Sequence, residues 1–430
     1  MSTALLTDRY ELTMLDAAIG AGTHERASVF EVFARHLPAG RRYGVVAGTG
    51  RLVELIERFR FGDAEIAWLR ENAIVRPETL AWLAEYRFRG TITGYREGEL
   101  YFPGSPILQV DGTFADAVIL ETLILSVLNF DSAVASAASR MASAAEGRPL
   151  AEMGSRRTSE RSAVAAARAA FIAGFAATSN LEAGRTWGIP TMGTAAHSFT
   201  LLHDSEEEAF AAQVAALGPG TTLLVDTYDI EQAVAVGVDL AGPGLGGVRL
   251  DSGDLVSLAS SVRAQLDALG AADTRITVTS DLDEYAIAAL AAAPVDSYGV
   301  GTSLVTGSGH PTCGFVYKLV ARADDDGTMV DVAKKSQDKV SMGGRKHALR
   351  RLSTKGVAQA EVIGIGLRPD DDGDDRALLV PLVASGRRVN GDSLDVARGR
   401  LVDALAELPP EAASLTRGEP VIPTVYQERS

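Results

Sequence analysis

The stretch "GTAAHSF" at 193–199 sets one histidine among small residues. Such an imidazole reads either as a core side chain bonded to a backbone carbonyl or as a catalytic group at the mouth of a site. In "RLDSGDL", at 249–255, Asp251 and Asp254 flank a glycine. That arrangement lets two carboxylates and backbone amides meet a sugar diol or a magnesium ion. Ser252 and Asp254 also fit the cap of a following helix. Capping leaves Arg249 unexplained, since its guanidinium needs an anion, an acid partner or a ring. In "EMGSRRTSE" the neighbours Arg156 and Arg157 project differently, so one suits a phosphate while the other takes a carboxylate or pairs with Glu152. An ordinary surface pair is the alternative. "YGVGTSLVTGS" is a glycine-rich strand exit whose amides suit a phosphate. The cluster Lys334, Lys335, Lys339, Arg345 and Lys346 reads as a solvated basic face. Gly343 and Gly344 within it read instead as close backbone approach to an anion.

These residues fall where strands should end. From about Leu150, short apolar runs recur after helical segments: "PLAEMG", "GIPTMGT", "TTLLVDT", "GGVRLDSGD", "RITVTSD" and "VDSYGVGT". The alternation predicts an α/β fold with a parallel barrel. Arg156, Arg157, His197, Asp226, Arg249, Asp251, Asp281 and Thr302 then gather at the C-terminal strand ends, the face that carries active sites in such folds. Upstream, "GRLVELIERF" predicts a helix, and "GTITGYREGELYF" and "SPILQVDG" predict strands of an α/β flanking domain. "FADAVILETLILSVLNF" predicts a long amphipathic helix and "DSAVASAASRMASAAEG" a second, alanine-rich one. The expected organisation is a flanking domain over 1–115, a barrel over 116–340, and a C-terminal region over 341–430 that packs on the flanking domain.

A chain of 430 residues, 46% hydrophobic, can bury a large core. Its formal charge of −15 opposes broad contact with nucleic acid, so an anionic ligand needs a local basic island. No secretory or transit signal is expected from "MSTALLTDRYEL", which lacks a basic flank before an apolar segment. Asp116 and Glu121 interrupt the most apolar run, which suits a buried helix better than a membrane span. Cys313 is the single cysteine, which excludes an intrachain disulfide framework and points to the cytosol. The acidic run from Asp370 to Asp375 lacks the distal glutamate of a calcium loop and reads as a solvated turn.

Together the motifs describe a site for a highly phosphorylated sugar. "LLTDRYELTM", "EMGSRR", "TSN", "GTAAHSF", "LDSGDL", "TSDLDEY", "YGVGTSL" and "VYKL" occur in the order and approximate spacing of nicotinate phosphoribosyltransferases, and this resemblance covers nearly the whole chain. It implies an incomplete α/β barrel beside an α/β flanking domain, in a cytoplasmic homodimer with active sites at the subunit boundary. The implied reaction joins nicotinate to phosphoribosyl pyrophosphate, giving nicotinate mononucleotide and pyrophosphate in NAD biosynthesis. ATP is hydrolysed alongside through a phosphohistidine, with Mg2+ as cofactor.

By the same resemblance His197 is the phosphorylated histidine. Arg156 contacts nicotinate and the phosphosugar, Arg249 braces the opposite side, and Asp251 binds ribose hydroxyls or magnesium. Gly301 and Thr302 seat the 5′-phosphate, and Tyr10 stacks on the pyridine ring across the dimer. Lys334, Ser336, Lys339 and Gly344 are assigned to ATP and pyrophosphate. Ser179 stands where nicotinamide-specific relatives place an aspartate, so a carboxylate is favoured over an amide. Met153 stands where an aromatic commonly packs, and Gly343 where many members carry proline. The competing readings are a nicotinamide or quinolinate phosphoribosyltransferase, a catalytically silent phosphosugar-binding relative, and an acidic interaction scaffold.

Overall fold

The computed structural model describes residues 3–334, 342–389 and 391–428. The chain packs into two units, one of residues 1–136 and 310–430, the other of residues 137–309.

In the first unit the strand Ala27–Ala34 is buried along nearly its whole length. It lies antiparallel between Phe315–Ala323 and Leu108–Thr113. Thr91–Gly94, Val380–Ala384, Arg387–Arg388 and Met329–Asp331 extend this sheet to seven strands. Phe30, Val32, Ile92, Leu108, Val110 and Phe315 belong to one buried apolar cluster of this unit. Because "FVYKLVARA" pairs with Ala27–Ala34, the chain has already returned to the first unit there. The border therefore falls after Gly309, not at 340.

The expected helix pair is also redrawn. A short helix, Phe114–Val118, is followed by one continuous helix, Glu121–Ala144, so the break comes before Glu121 and not at Asp131. Asp131 is tolerated in mid-helix because Arg51 takes both its carboxylate oxygens, Nε to Oδ2 at 3.0 Å and Nη2 to Oδ1 at 2.7 Å. The stretch Phe114–Ala144 is long and apolar enough to cross a membrane by length and composition, but 67% of its most apolar 18 residues are buried inside the fold.

The second unit is built on six parallel strands: β1 (Leu150–Glu152), β2 (Ala177–Thr178), β3 (Thr222–Leu224), β4 (Gly247–Leu250), β5 (Arg275–Val278) and β6 (Ser297–Val300). Their order is β2-β1-β6-β5-β4-β3, and every pairing is parallel. Among the described residues nothing pairs β2 with β3, so the parallel sheet is open between them. "GIPTM" forms no strand; Thr191 alone bridges to Thr178, flanked by bonds from Thr178 N to the Pro190 carbonyl and from Met192 N to the Thr178 carbonyl. Pro190 has no N–H to extend the ladder. The two-residue β2 was not among the expected strands.

Three returns from strand to helix share one design. Asp229, Asp254 and Asp283 accept hydrogen bonds from amides of the first helical turn that follows each, and Asp226, Asp251 and Asp281 precede them by two or three residues. The later acid caps the helix. The earlier one is left for the strand-end face.

Candidate active site

Alternation along β4 buries Val248 and Leu250 completely and turns Arg249 to the other face. Arg249 Nε donates to Thr279 Oγ1 at 3.0 Å, and Nη1 donates to Thr194 Oγ1 at 2.6 Å and to the Ala195 carbonyl at 3.2 Å. Its Nη2 lies 3.4 Å from Asp251 Oδ1. Of the anion, acid or ring that the sequence left open for Arg249, the acid is found. One guanidinium thus ties together the end of β5, the loop before His197 and the turn after β4.

Asp226 sits beneath this network with its side chain 2% exposed. Its Oδ2 accepts from the Asp251 amide at 3.0 Å and from Ser252 Oγ at 2.7 Å. Its Oδ1 is buried with no hydrogen-bond partner among the described residues. That oxygen faces His197 Nε2 at 3.8 Å, and Asp251 Oδ2 faces the same nitrogen at 3.9 Å. On the other side of the ring, Nδ1 is 3.1 Å from Thr227 Oγ1. One nitrogen is anchored and the other opens onto two carboxylates. His197 begins the short helix His197–Leu201 and is 41% exposed, so it is not a core histidine.

Arg156 and Arg157 are both exposed and line a 250 Å³ cleft with Arg249, Asp251, Gly301 and Thr302. Neither pairs with Glu152, whose carboxylate accepts from Thr178 Oγ1 and the Gly154 amide. Asp254 is a helix cap, bonded to Ser257 N and Oγ, and does not face the cleft as a second sugar-binding carboxylate. Ser179, half-buried, follows β2 directly, with its amide on the Glu152 carbonyl.

The remaining sequence candidates belong to the other unit. Tyr10 is 45% exposed; burial of its hydroxyl and then the neighbouring Glu121 hold the phenol above its ordinary range. Lys334 is exposed. The Gly344 amide is already spent on the Val320 carbonyl at 2.8 Å. At Gly343 the backbone packs closely on Val332, since a Cβ there would stand 2.8 Å from the Val332 carbonyl oxygen. Ser336 and Lys339 lie outside the described residues. Asp371, Asp372 and Asp375 cluster, and Asp375 is engaged by Arg351 and the Leu352 amide.

Sequence reasoning placed Asp226 on the strand-end face without a specific role, and did not single out Thr227, Thr279 or Glu206. Glu206 carries a buried, unpartnered Oε1, and burial, with Asp229 and Asp226 nearby, raises its carboxyl above the usual range. For Asp226 the signal was present in its place directly after the apolar run "TTLLV".

Comparison with known proteins bears on the family and the fold. A family model described as nicotinate phosphoribosyltransferase (NAPRTase) N-terminal domain matches residues 5–129. The chain is 58% identical over 429 residues to nicotinate phosphoribosyltransferase pncB1 of Mycobacterium tuberculosis, covering 98% of this chain and 94% of that protein. It is 37% identical over 363 residues to the Bacillus subtilis nicotinate phosphoribosyltransferase, covering 82% and 74%. The crystal structure of human nicotinic acid phosphoribosyltransferase superposes with a TM-score of 0.83 at 26% identity, covering 98% of this chain and 97% of that one. The chain belongs to the nicotinate phosphoribosyltransferase family.

Proposed function

We propose that this protein joins nicotinate to phosphoribosyl pyrophosphate, forming nicotinate mononucleotide and pyrophosphate for NAD biosynthesis, and couples the transfer to ATP hydrolysis through a phosphohistidine at His197. The observation that carries the ATP half is the ring's setting. Nδ1 is held by Thr227, so Nε2 is the nitrogen free to attack a γ-phosphoryl group, with Asp226 and Asp251 placed to stabilise positive charge gathering on the imidazole. ADP departs as the nitrogen–phosphorus bond forms, and water later returns the phosphoryl group as phosphate.

For the sugar half, the pyridine nitrogen is already nucleophilic and needs no general base. Arg156, Arg157 and Arg249 line the cleft and offset the negative charge of the leaving pyrophosphate. Gly301 and Thr302 stand at its edge as a seat for the 5′-phosphate. Ser179 leaves room for the nicotinate carboxylate without like-charge repulsion. The donor set suits Mg2+: Asp226 Oδ1 is a buried carboxylate oxygen lacking a partner, and Asp251 Oδ2 faces the same space. Magnesium, when bound by Asp251 and Asp226, supplies charge neutralisation for phosphoryl and pyrophosphoryl oxygens. The same reading includes a cytoplasmic homodimer in which Tyr10 reaches the partner's ring site.

The test is product formation from nicotinate or nicotinamide with phosphoribosyl pyrophosphate, with and without ATP. Nicotinate mononucleotide should form, faster with ATP. Preference for nicotinamide, or no product from either, contradicts the reading.

A further inference from the structure

Glu152, the last residue of β1, is 0% exposed, and no cation pairs with it among the described residues. Burial raises its carboxyl above the usual range. Each of its bonds leads to a part of the site. Oε1 accepts from the Gly154 amide at 2.5 Å, at the root of the loop that carries Arg156 and Arg157. Oε2 accepts from the Thr178 hydroxyl at 2.5 Å, and its backbone carbonyl accepts from the Ser179 amide at 2.8 Å. The Thr178 hydroxyl in turn accepts from the Asn180 amide at 2.9 Å, and Asn180 Nδ2 donates to Ser155 Oγ at 2.9 Å. That last bond closes a ring back onto the arginine loop. The root of the loop has no slack, because a Cβ at Gly154 would stand 2.3 Å from Val305 Cγ1 and 3.1 Å from the Gly301 carbonyl oxygen.

Both carboxylate oxygens of Glu152 are engaged, and a glutamine would turn its NH2 toward Thr178 or the Gly154 amide. We propose that Glu152 is a positioning residue which fixes the Arg156 loop against Ser179, and so sets how tightly the acid substrate is held. This rests on the reading of Arg156 and Ser179 as the nicotinate-binding pair. Glu152 itself touches no substrate. Its bonds hold two loops that meet the substrate from different strands.

The test compares Glu152→Gln, Thr178→Val and Thr178→Ser in the full chain, with nicotinate and phosphoribosyl pyrophosphate varied separately. In Glu152→Gln and Thr178→Val the KM for nicotinate should rise about tenfold or more while kcat changes less than about threefold, as expected when ground-state and transition-state binding are lost together. The double variant should be no worse than the worse single one, because both cut the same link. Thr178→Ser keeps the hydroxyl and should restore the KM. A purely structural role lowers the active fraction, so kcat falls and both KM values stay; that result, or strictly additive effects, overturns the inference. Should Glu152→Gln not fold, the two Thr178 variants decide the matter by the same KM criterion. If the wild type makes no nicotinate mononucleotide, the underlying reading fails and takes this inference with it. If it does and the variants keep their KM, the positioning role alone fails.

Discussion

Replacing Asp226 with asparagine separates two tasks of one carboxylate. Oδ2 holds the Asp251 amide at 3.0 Å and Ser252 Oγ at 2.7 Å, and an amide oxygen keeps both bonds. Stability should therefore change by less than about 1 kcal/mol. Oδ1 lies 3.8 Å from His197 Nε2, and unit charges at that distance interact by about 4 kcal/mol at an effective dielectric near 20, falling to about 1 kcal/mol in bulk water. The carboxylate is buried while the imidazole is partly exposed, so a loss of about 2–4 kcal/mol follows, or roughly thirtyfold to a thousandfold in rate. The assay is single-turnover ADP release from ATP in the presence of nicotinate, run beside a melting curve. Near-normal ADP release in the folded variant would refute the electrostatic argument, and a large drop in melting temperature would show that the buried oxygen is structural.

Ser179→Asp should weaken nicotinate use by about 1–3 kcal/mol in kcat/KM, because on the proposed reading a carboxylate at this half-buried position would face that of the substrate; unchanged kinetics would remove Ser179 from nicotinate recognition. Arg249→Lys keeps the charge but cannot span Thr279, Thr194 and Asp251 at once, so turnover should fall about tenfold or more; near-normal activity would make those bonds dispensable. In the first unit, burial pushes Glu31 up to about 7 against the pull of Lys346, whose Nζ lies 2.9 Å from Oε1. An acid with a raised folded pKa holds its proton better in the folded chain. Its stabilising contribution is present below the unfolded carboxylate range and is lost as pH rises through about 7. Urea unfolding of the wild type should therefore lose stability from pH 5 to pH 7.5 more steeply than a Glu31→Gln, Lys346→Met double variant; equal slopes would contradict the assignment.

The parts of the fold written in local pattern were legible in the sequence. Five of the six parallel strands are apolar runs ending in the motifs that flagged them, and their C-terminal ends do carry Arg249, Asp251 and Thr302 together. What escaped depends on partners far along the chain. β2 has two residues, too few for any period, and exists because Glu152 and Thr191 pair on either side of it. "GIPTM" looked like a strand because its composition is apolar, yet proline limits it to one bridge. The helix through Asp131 looked interrupted because nothing nearby in sequence announces Arg51, 80 residues earlier. The paired acids at 226 and 229, 251 and 254, and 281 and 283 were visible, but which of each pair caps and which faces the site follows only from the turn geometry. Thus Asp254 was overread and Asp226 underread.

The central claim is that His197 accepts a phosphoryl group from ATP. It is tested most directly by incubating the wild type with γ-labelled ATP and locating the label. An acid-labile, base-stable label on His197 is expected, absent from His197→Ala, which should also lose nicotinate-stimulated ATP hydrolysis while keeping a slow, ATP-independent transfer through Arg156, Arg249 and Asp251. A label on another residue, or full ATP coupling in His197→Ala, would contradict the account.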